Sequence, residues 1–396
     1  MSLSHATFEI PTRPPAAADV TAAQVKVELL ATGELAFERV LRRIDSARRT
    51  ILVRSFNWRD DATGEMVARA LLRAADRGVI VTILKDRVGM HYEYLEGSKQ
   101  SFFHKSIGLR VRLQTWFLMA VYGQWGSLKQ RPSEVAQAIL QHPNITVHRD
   151  QKRFDHAKVY VFDDETVILG GMGIGDDSRL ENVDFMVEVT GRDAAFRLNE
   201  RHEGRVAFDP ERQFDYLLHS FVANGDSEDT LAEQRLRLIR GAQRSLTIAM
   251  AYLGDRACTR ALLDAVNRGV RVTLLTSARA NVLGDLNLRT CDDLLRRTRN
   301  APNLRVFLHP SMVHGKAVVV DGERVDIGSA NFTRLSHGGY EEVNLYCQDA
   351  VFARAVEAAI EHSGQQSQTA RHPVPHRRLS ALIERMISAY QAGRSK

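Results

Sequence analysis

The residues best equipped for chemistry in this chain occur twice on one ruler. "DHAKVYVFDD" carries His156, Lys158 and Asp163, and "VHGKAVVVDG" carries His314, Lys316 and Asp321. Each is a His, a Lys two positions on and an Asp five positions later, in otherwise largely apolar stretches. In an extended strand residues two apart share a face, so each His and its Lys are expected to point the same way. Two such pairs suit in-line displacement at an anionic phosphorus centre. One imidazole attacks, the other protonates the leaving oxygen, and the lysines neutralise non-bridging oxygens. No carboxylate cluster of the kind Mg²⁺ prefers stands out, so neither metal nor cofactor is expected. One triplet alone would more often be a satisfied core histidine; two on the same spacing reverse that balance.

The Asp of each triplet reads differently. Seven residues of strand span about 23 Å at about 3.3 Å each, which removes Asp163 and Asp321 from the histidines. Asp321-Gly322 signals a hairpin turn and Asp163-Asp164 a weaker one, so both acids are expected to be structural. After each turn a second strand returns, "TVILGG" to Gly170 and Gly171 and "RVDIGS" to Gly328 and Ser329. These residues, with Asn331, are the expected substrate contacts. A histidine also needs a carboxylate to hold its tautomer. Asp184 lies 28 residues beyond His156 and Glu342 lies 28 beyond His314, each opening an apolar strand. The equal spacing makes each acid the expected partner of the histidine in its own half.

The elements that must position these residues are also written twice. "ALLRAADRGVIVTIL" from Ala70 matches "ALLDAVNRGVRVTLL" from Ala261 at ten of fifteen positions. Both read as amphipathic helix, Arg-Gly-Val turn and β-branched strand. Strands alternating with helices imply a mixed sheet flanked by helices, and the repeat implies two such α/β halves on a pseudo-twofold axis sharing one site within one chain. The expected segments are an extension over 1–24, a first half over 25–222, a second half over 223–365 and a basic C-terminal tail over 366–396. The first half carries an insertion near 91–143, since Leu84 to His156 is 72 residues and Leu275 to His314 only 39. From Gly97 to Ser133 it has six Lys or Arg, no acid, and Phe102, Phe103, Trp116, Phe117, Tyr122 and Trp125.

With those residues in view, the chain resembles the phospholipase D superfamily. The signature His, any residue, Lys, four residues, Asp, six residues, Gly is met at His156, Lys158, Asp163, Gly170 and at His314, Lys316, Asp321, Gly328. Within the superfamily it most resembles bacterial cardiolipin synthases, through "RSFNWRDDATG", "GGMGIGDDS", "GSANFTRLS" and "EEVN". The resemblance covers about residues 25 to 365. It implies a phosphatidyltransferase working through a phosphohistidine on His156, with His314 as the general acid. Phospholipid hydrolysis and phosphodiester cleavage in nucleic acid are the alternatives. Three departures stand out. Gly173 replaces the family's usual Asn, "AYLGDRA" replaces its Pro-Tyr-Phe stretch, and the paired N-terminal membrane helices of many members have no counterpart here.

Bulk properties agree with a globular enzyme. Of 396 residues 44% are hydrophobic and 26% charged, enough for two full cores. Cys258, Cys291 and Cys347 show neither disulfide nor metal-ligand spacing and are expected to be reduced core residues. The start "MSLSHATFEI" lacks the pattern of a signal peptide, and no apolar run approaches the roughly 18 residues of a membrane span. The net charge of +6 favours an anionic partner. An anionic phospholipid is expected, with nucleic acid ranked below it. The basic aromatic insertion and the tail stripe Leu379, Leu382, Ile383, Met386, Tyr390 suit a lipid–water boundary. The expected location is cytoplasmic, peripheral on the inner face of the cell membrane.

Overall fold

Each sheet starts from the same local logic. Thr50–Ser55 and Ser245–Met250 are apolar runs buried almost throughout, as strands covered on both faces must be. A capped helix follows each. Asp61 accepts from the Gly64 amide at the start of Ala62–Asp76, and Asp255 accepts from the Ala257 and Cys258 amides at the start of Arg256–Asn267. Both helices close on Arg-Gly, with Gly78 and Gly269 at φ of +91° and +90°, a backbone state glycine adopts without strain.

The computed structural model describes residues 25–95, 100–104, 107–123, 133–220 and 230–394. The first half contains β1 (Lys26–Leu30), α1 (Gly33–Ser46), β2 (Thr50–Ser55), α2 (Ala62–Asp76), β3 (Ile80–Lys85), α3 (Gly89–Glu93), α4 (Leu109–Tyr122) and α5 (Glu134–Gln141). It continues with β4 (Ile145–His148), β5 (Val159–Phe162), β6 (Thr166–Gly170), β7 (Met186–Thr190) and α6 (Arg192–His202). The second half contains β8 (Phe214–His219), α7 (Leu231–Arg240), β9 (Ser245–Met250), α8 (Arg256–Asn267), β10 (Arg271–Ser277), α9 (Gly284–Arg297) and β11 (Leu304–His309). It ends with β12 (Lys316–Val320), β13 (Arg324–Gly328), α10 (Arg334–Gly338), β14 (Glu342–Gln348), α11 (Ala350–Gln365), β15 (Gln368–Thr369) and α12 (Arg378–Arg394).

One sheet runs β1-β7-β6-β5-β2-β3-β4 and the other β8-β14-β13-β12-β9-β10-β11-β15. Strand for strand the orders coincide, with β15 added at one edge. In each, three strands are parallel and the rest antiparallel. Helices α1 and α2 cover the outer face of the first sheet, and α7, α8 and α9 that of the second. The inner faces pack on each other, with Val159, Val161 and Val187 against Ala317, Val319 and Ile327. The two mixed α/β halves form a helix–sheet–sheet–helix sandwich.

Two expectations need adjusting. The second sheet starts with β8, upstream of the 222/223 boundary, because the Phe214–His219 strand pairs with β14. Phe102 and Phe103, read as part of a boundary-seeking insertion, are fully buried against Trp58. The three cysteines are unpaired and buried.

Candidate active site

The site forms where the halves are stitched together. Asp155 pairs with Glu341 and Val183 with Val313, both as parallel bridges between halves. The His156 amide donates to Glu341 O at 2.9 Å, and the His314 amide to Val183 O at 2.8 Å. The residue just before each acid is therefore held beside the other half's histidine. His156 Nδ1 meets both Glu342 oxygens at 3.0 and 3.1 Å, and His314 Nδ1 meets Asp184 Oδ2 at 2.7 Å. This corrects the expected pairing within each half: the acids are the right ones, but they cross. Buried Arg54 reinforces the seam, reaching Asp155 at 3.0 Å and Glu341 at 3.5 Å.

The two lysines differ in placement. Lys158 lines the cavity with His156 and His314. Lys316 lies behind its histidine, with Nζ 3.0 Å from His314 Nδ1. Each ammonium donates to the carbonyl of its own histidine, a fold-back the two-residue spacing allows. Burial, helped by Lys158 and outweighing Glu342, brings His156 down to about 4. Burial and Lys316 likewise lower His314. Both imidazoles are thus held neutral, and an Nδ1–H donated to a carboxylate leaves an Nε2 lone pair free for attack. Burial brings Lys158 down to about 7 and Lys316 to about 8. Burial opposes ionisation of Asp184 and Glu342, but the adjacent histidines and lysines outweigh it and hold both below the usual carboxylate range.

Aromatic rings frame the histidines. Tyr340 stacks on His156 at 5.5 Å, Phe56 meets its edge at 4.9 Å, and Tyr252 lies edge-on to His314 at 6.2 Å. Two acid-oriented imidazoles and Lys158 on one ring-lined cavity can carry out displacement at a phosphate ester. The chain matches the family model described as "Cardiolipin synthase, PLD-like domain" over residues 40–204 and 236–363. It belongs to that family. It is an enzyme of the phospholipase D superfamily, of the phosphatidyltransferase and phosphodiesterase kind. Cardiolipin synthase A of Pseudomonas aeruginosa is 28% identical over 364 residues, 86% of this chain and 67% of the relative. That of Pseudomonas entomophila is 29% identical over 394 residues, covering 92% and 74%. The crystal structure of phosphatidylserine synthase from Haemophilus influenzae shares the fold, with a TM-score of 0.66 at 14% identity over 93% of this chain and 94% of that one.

The remaining residues of this cardiolipin synthase family site divide between cavity and support. Asn331 lines the cavity. Gly170, Gly171, Gly328 and Ser329 do not line it, and their expected role as substrate contacts is corrected. A Cβ at Gly170 would lie 2.3 Å from Phe185 O, at Gly171 2.2 Å from Asp184 Oδ1, and at Gly328 2.4 Å from Val343 O. They are glycines because the acid-bearing strands press against them. Ser329 Oγ donates to Glu342 Oε2 at 2.5 Å and so positions the acid. The sequence reading missed Phe56, Asn57, Tyr92, Tyr252 and Tyr340 as cavity residues. Tyr340 carried a usable signal, two positions before Glu342. Phe56 and Asn57 lie in the family-like stretch "RSFNWRDDATG" and Tyr252 in "AYLGDRA"; Tyr92 gave none.

Asp163 and Asp321 sit where the length argument placed them. Asp163 accepts from the amides of Arg48, Arg49 and Thr50, and Asp321 from those of Gln243, Arg244 and Ser245. Each carboxylate pins its hairpin turn to the start of the neighbouring strand, β2 or β9. Asp163→Ala strands three amide donors and is expected to cost about 2 kcal/mol of stability. Turnover of the folded fraction should stay unchanged. Thermal melts run beside kcat measurements check this, and lost turnover at an unchanged melting temperature would give Asp163 a catalytic role.

Proposed function

We propose that the protein is a phosphatidyltransferase of the cardiolipin synthase type, moving a phosphatidyl group between a phospholipid and an alcohol through a phosphohistidine. The reading is carried by the crossed arrangement, which puts two neutral, carboxylate-oriented imidazoles on one cavity. His156 Nε2 attacks the donor phosphorus, forming the P–N bond as the bond to the leaving oxygen breaks. His314 gives that oxygen a proton. It then takes one from the acceptor hydroxyl, whose oxygen attacks phosphorus and releases His156. The bound phosphodiester is itself an anion and raises the proton affinity of His314 and both lysines, supplying the acid the first step needs. Cardiolipin synthase A relatives covering most of the chain support the lipid assignment.

With phosphatidylglycerol, the expected products are cardiolipin and glycerol, read by mass spectrometry. Phosphatidic acid alone would make the protein a hydrolase. Cleavage of a labelled DNA control with no lipid product would make it a nuclease.

The substrate reaches the site from a membrane surface. No helix among the described residues is long and apolar enough to cross a bilayer. The second half of helix α4 is apolar inside and out: Leu118 and Met119 are buried, while Trp116 and Phe117 remain 48% and 59% exposed. Helix α12 turns Leu379, Leu382, Ile383, Met386 and Tyr390 outward. Both helices border the cavity, through Tyr122 of α4 and Ser388 and Gln391 of α12. Exposed apolar side chains on two helices that both reach the cavity suit insertion into the headgroup boundary. Among the basic aromatic residues expected to join them, Lys99, Lys105, Trp125, Lys129 and Arg131 lie outside the described residues. Salt-sensitive sedimentation with phosphatidylglycerol vesicles is expected, weakened by changing Trp116, Phe117 and Trp125 to Ser. Protein left in the supernatant at low salt would overturn peripheral attachment at the cell membrane's inner face.

A further inference from the structure

The internal repeat fixes which residues correspond around the cavity. The parallel bridges Trp58–Ile174 and Leu253–Phe332 occupy equivalent places. The Ile174 and Phe332 amides donate to the carbonyls of Asn57 and Tyr252 at 3.0 and 3.1 Å. Asn57 therefore corresponds to Tyr252, and Gly173 to Asn331. In the second half the cavity receives a ring from position 252 and an amide from position 331. In the first it receives an amide from position 57 and no side chain from position 173. The amide has changed places rather than vanished. A Cβ at Gly173 would lie 3.1 Å from Asn57 Cβ, so side chains from the two positions compete for one part of the cavity.

Asn57 and Asn331 share a second property. Oδ1 of each is buried without a hydrogen-bond partner, and both residues line the cavity with His156, Lys158 and His314. Buried amide oxygens are ordinarily satisfied, so neither side chain is held in place by a hydrogen bond from the protein to its oxygen. Asn57 Oδ1 is sealed off toward Gly89, 3.2 Å from where a Cβ there would lie, so of the two amide ends Nδ2, the donor, is the one left to serve the cavity that Asn57 lines. We infer that Asn57 is the first half's phosphate ligand, donating from Nδ2 to a non-bridging oxygen of the transferred group opposite Asn331. This rests on the cavity being a phosphoryl-transfer site and names the residue that completes its anion cradle. The cradle is then asymmetric, with its first-half amide on the loop after β2 rather than after β6.

An amide transplant tests it. Three readouts apply: turnover of bis(4-nitrophenyl) phosphate, turnover of phosphatidylglycerol, and calorimetric binding of tungstate. Asn57→Leu keeps the shape and removes the donor, and is expected to lower kcat/KM by about 10²-fold, the same loss expected of Asn331→Leu. Tungstate affinity should fall in parallel. Gly173→Asn alone should crowd Asn57 and lower activity. Combined with Asn57→Ala it returns the amide from the other position, and is expected to recover about tenfold over Asn57→Ala alone. Asn57→Leu within about threefold of wild type in both turnover and tungstate binding would overturn the inference, a loss too small for a removed oxyanion donor. So would a transplant with the wild-type melting temperature that is no better than Asn57→Ala, or wild-type protein that binds no tungstate. Should the wild type bind tungstate and cleave the simple diester but leave phosphatidylglycerol intact, the lipid assignment fails and the variants still decide the role of Asn57.

Discussion

Glu342→Gln and Asp184→Asn are each expected to lower kcat by about 10³- to 10⁴-fold in protein that still folds. Both changes keep side-chain shape, so the cost falls on chemistry. A carboxylate accepts the Nδ1 proton and leaves Nε2 as a lone pair. An amide can instead donate to Nδ1, which moves the proton to Nε2 and blocks attack or proton uptake there. The crossed geometry makes the effects specific. Glu342→Gln should change the tautomer of His156, whose Nδ1 lies 3.0 Å from that carboxylate, and leave His314 alone. Asp184→Asn should do the reverse, through its 2.7 Å contact with His314. Nitrogen NMR of histidine-labelled protein reads each ring separately. If Glu342→Gln disturbs His314 and spares His156, the acids act within their own halves and the crossing is wrong.

That crossing also marks where sequence reasoning runs out. The duplicated blocks around Gly78 and Gly269 announce two α/β halves, because helix caps, helical periodicity and β-branched runs are local rules that a short window can show. The acids were found by equal spacing, since a repeat preserves distances along each copy. Their assignment failed because the contact is set by Asp155–Glu341 and Val183–Val313, bridges between halves that leave no trace in either half's spacing. The turn acids were placed correctly, because strand length alone separates Asp163 from His156. The glycines misled for the opposite reason. Gly170 and Gly171 read as substrate contacts, but they are small because Phe185 and Asp184 press against them. Likewise aromatic content marked the insertion as one unit. Only the fold shows that Phe102 and Phe103 belong to the core while Trp116 and Phe117 face outward.

The other large effect lies with the lysines. Lys158→Met should lower kcat/KM by about 10³-fold, since it removes the cavity's ammonium from a site that must neutralise phosphate oxygens. The wild-type pH profile carries the same information. Burial lowers Lys158 to about 7 and Lys316 to about 8, so raising pH through that range discharges the cations in free enzyme. The alkaline limb of kcat/KM is expected there, well below the usual range of a lysine. A bound phosphodiester anion favours the charged ammonium, so the corresponding limb of kcat should lie at higher pH. Stability moves the other way. Between about 7 and the ordinary lysine value near 10.4 the unfolded chain binds more protons at Lys158 than the folded one, so this group's contribution to stability rises with pH. Activity lost while the melting temperature holds or climbs would place the titration at the site. Lys158→Arg, which stays charged throughout, should move the alkaline limb up to that of Lys316 in whatever activity it retains. A limb unmoved by Lys158→Arg would assign it to another group and leave Lys158 charged across the whole range.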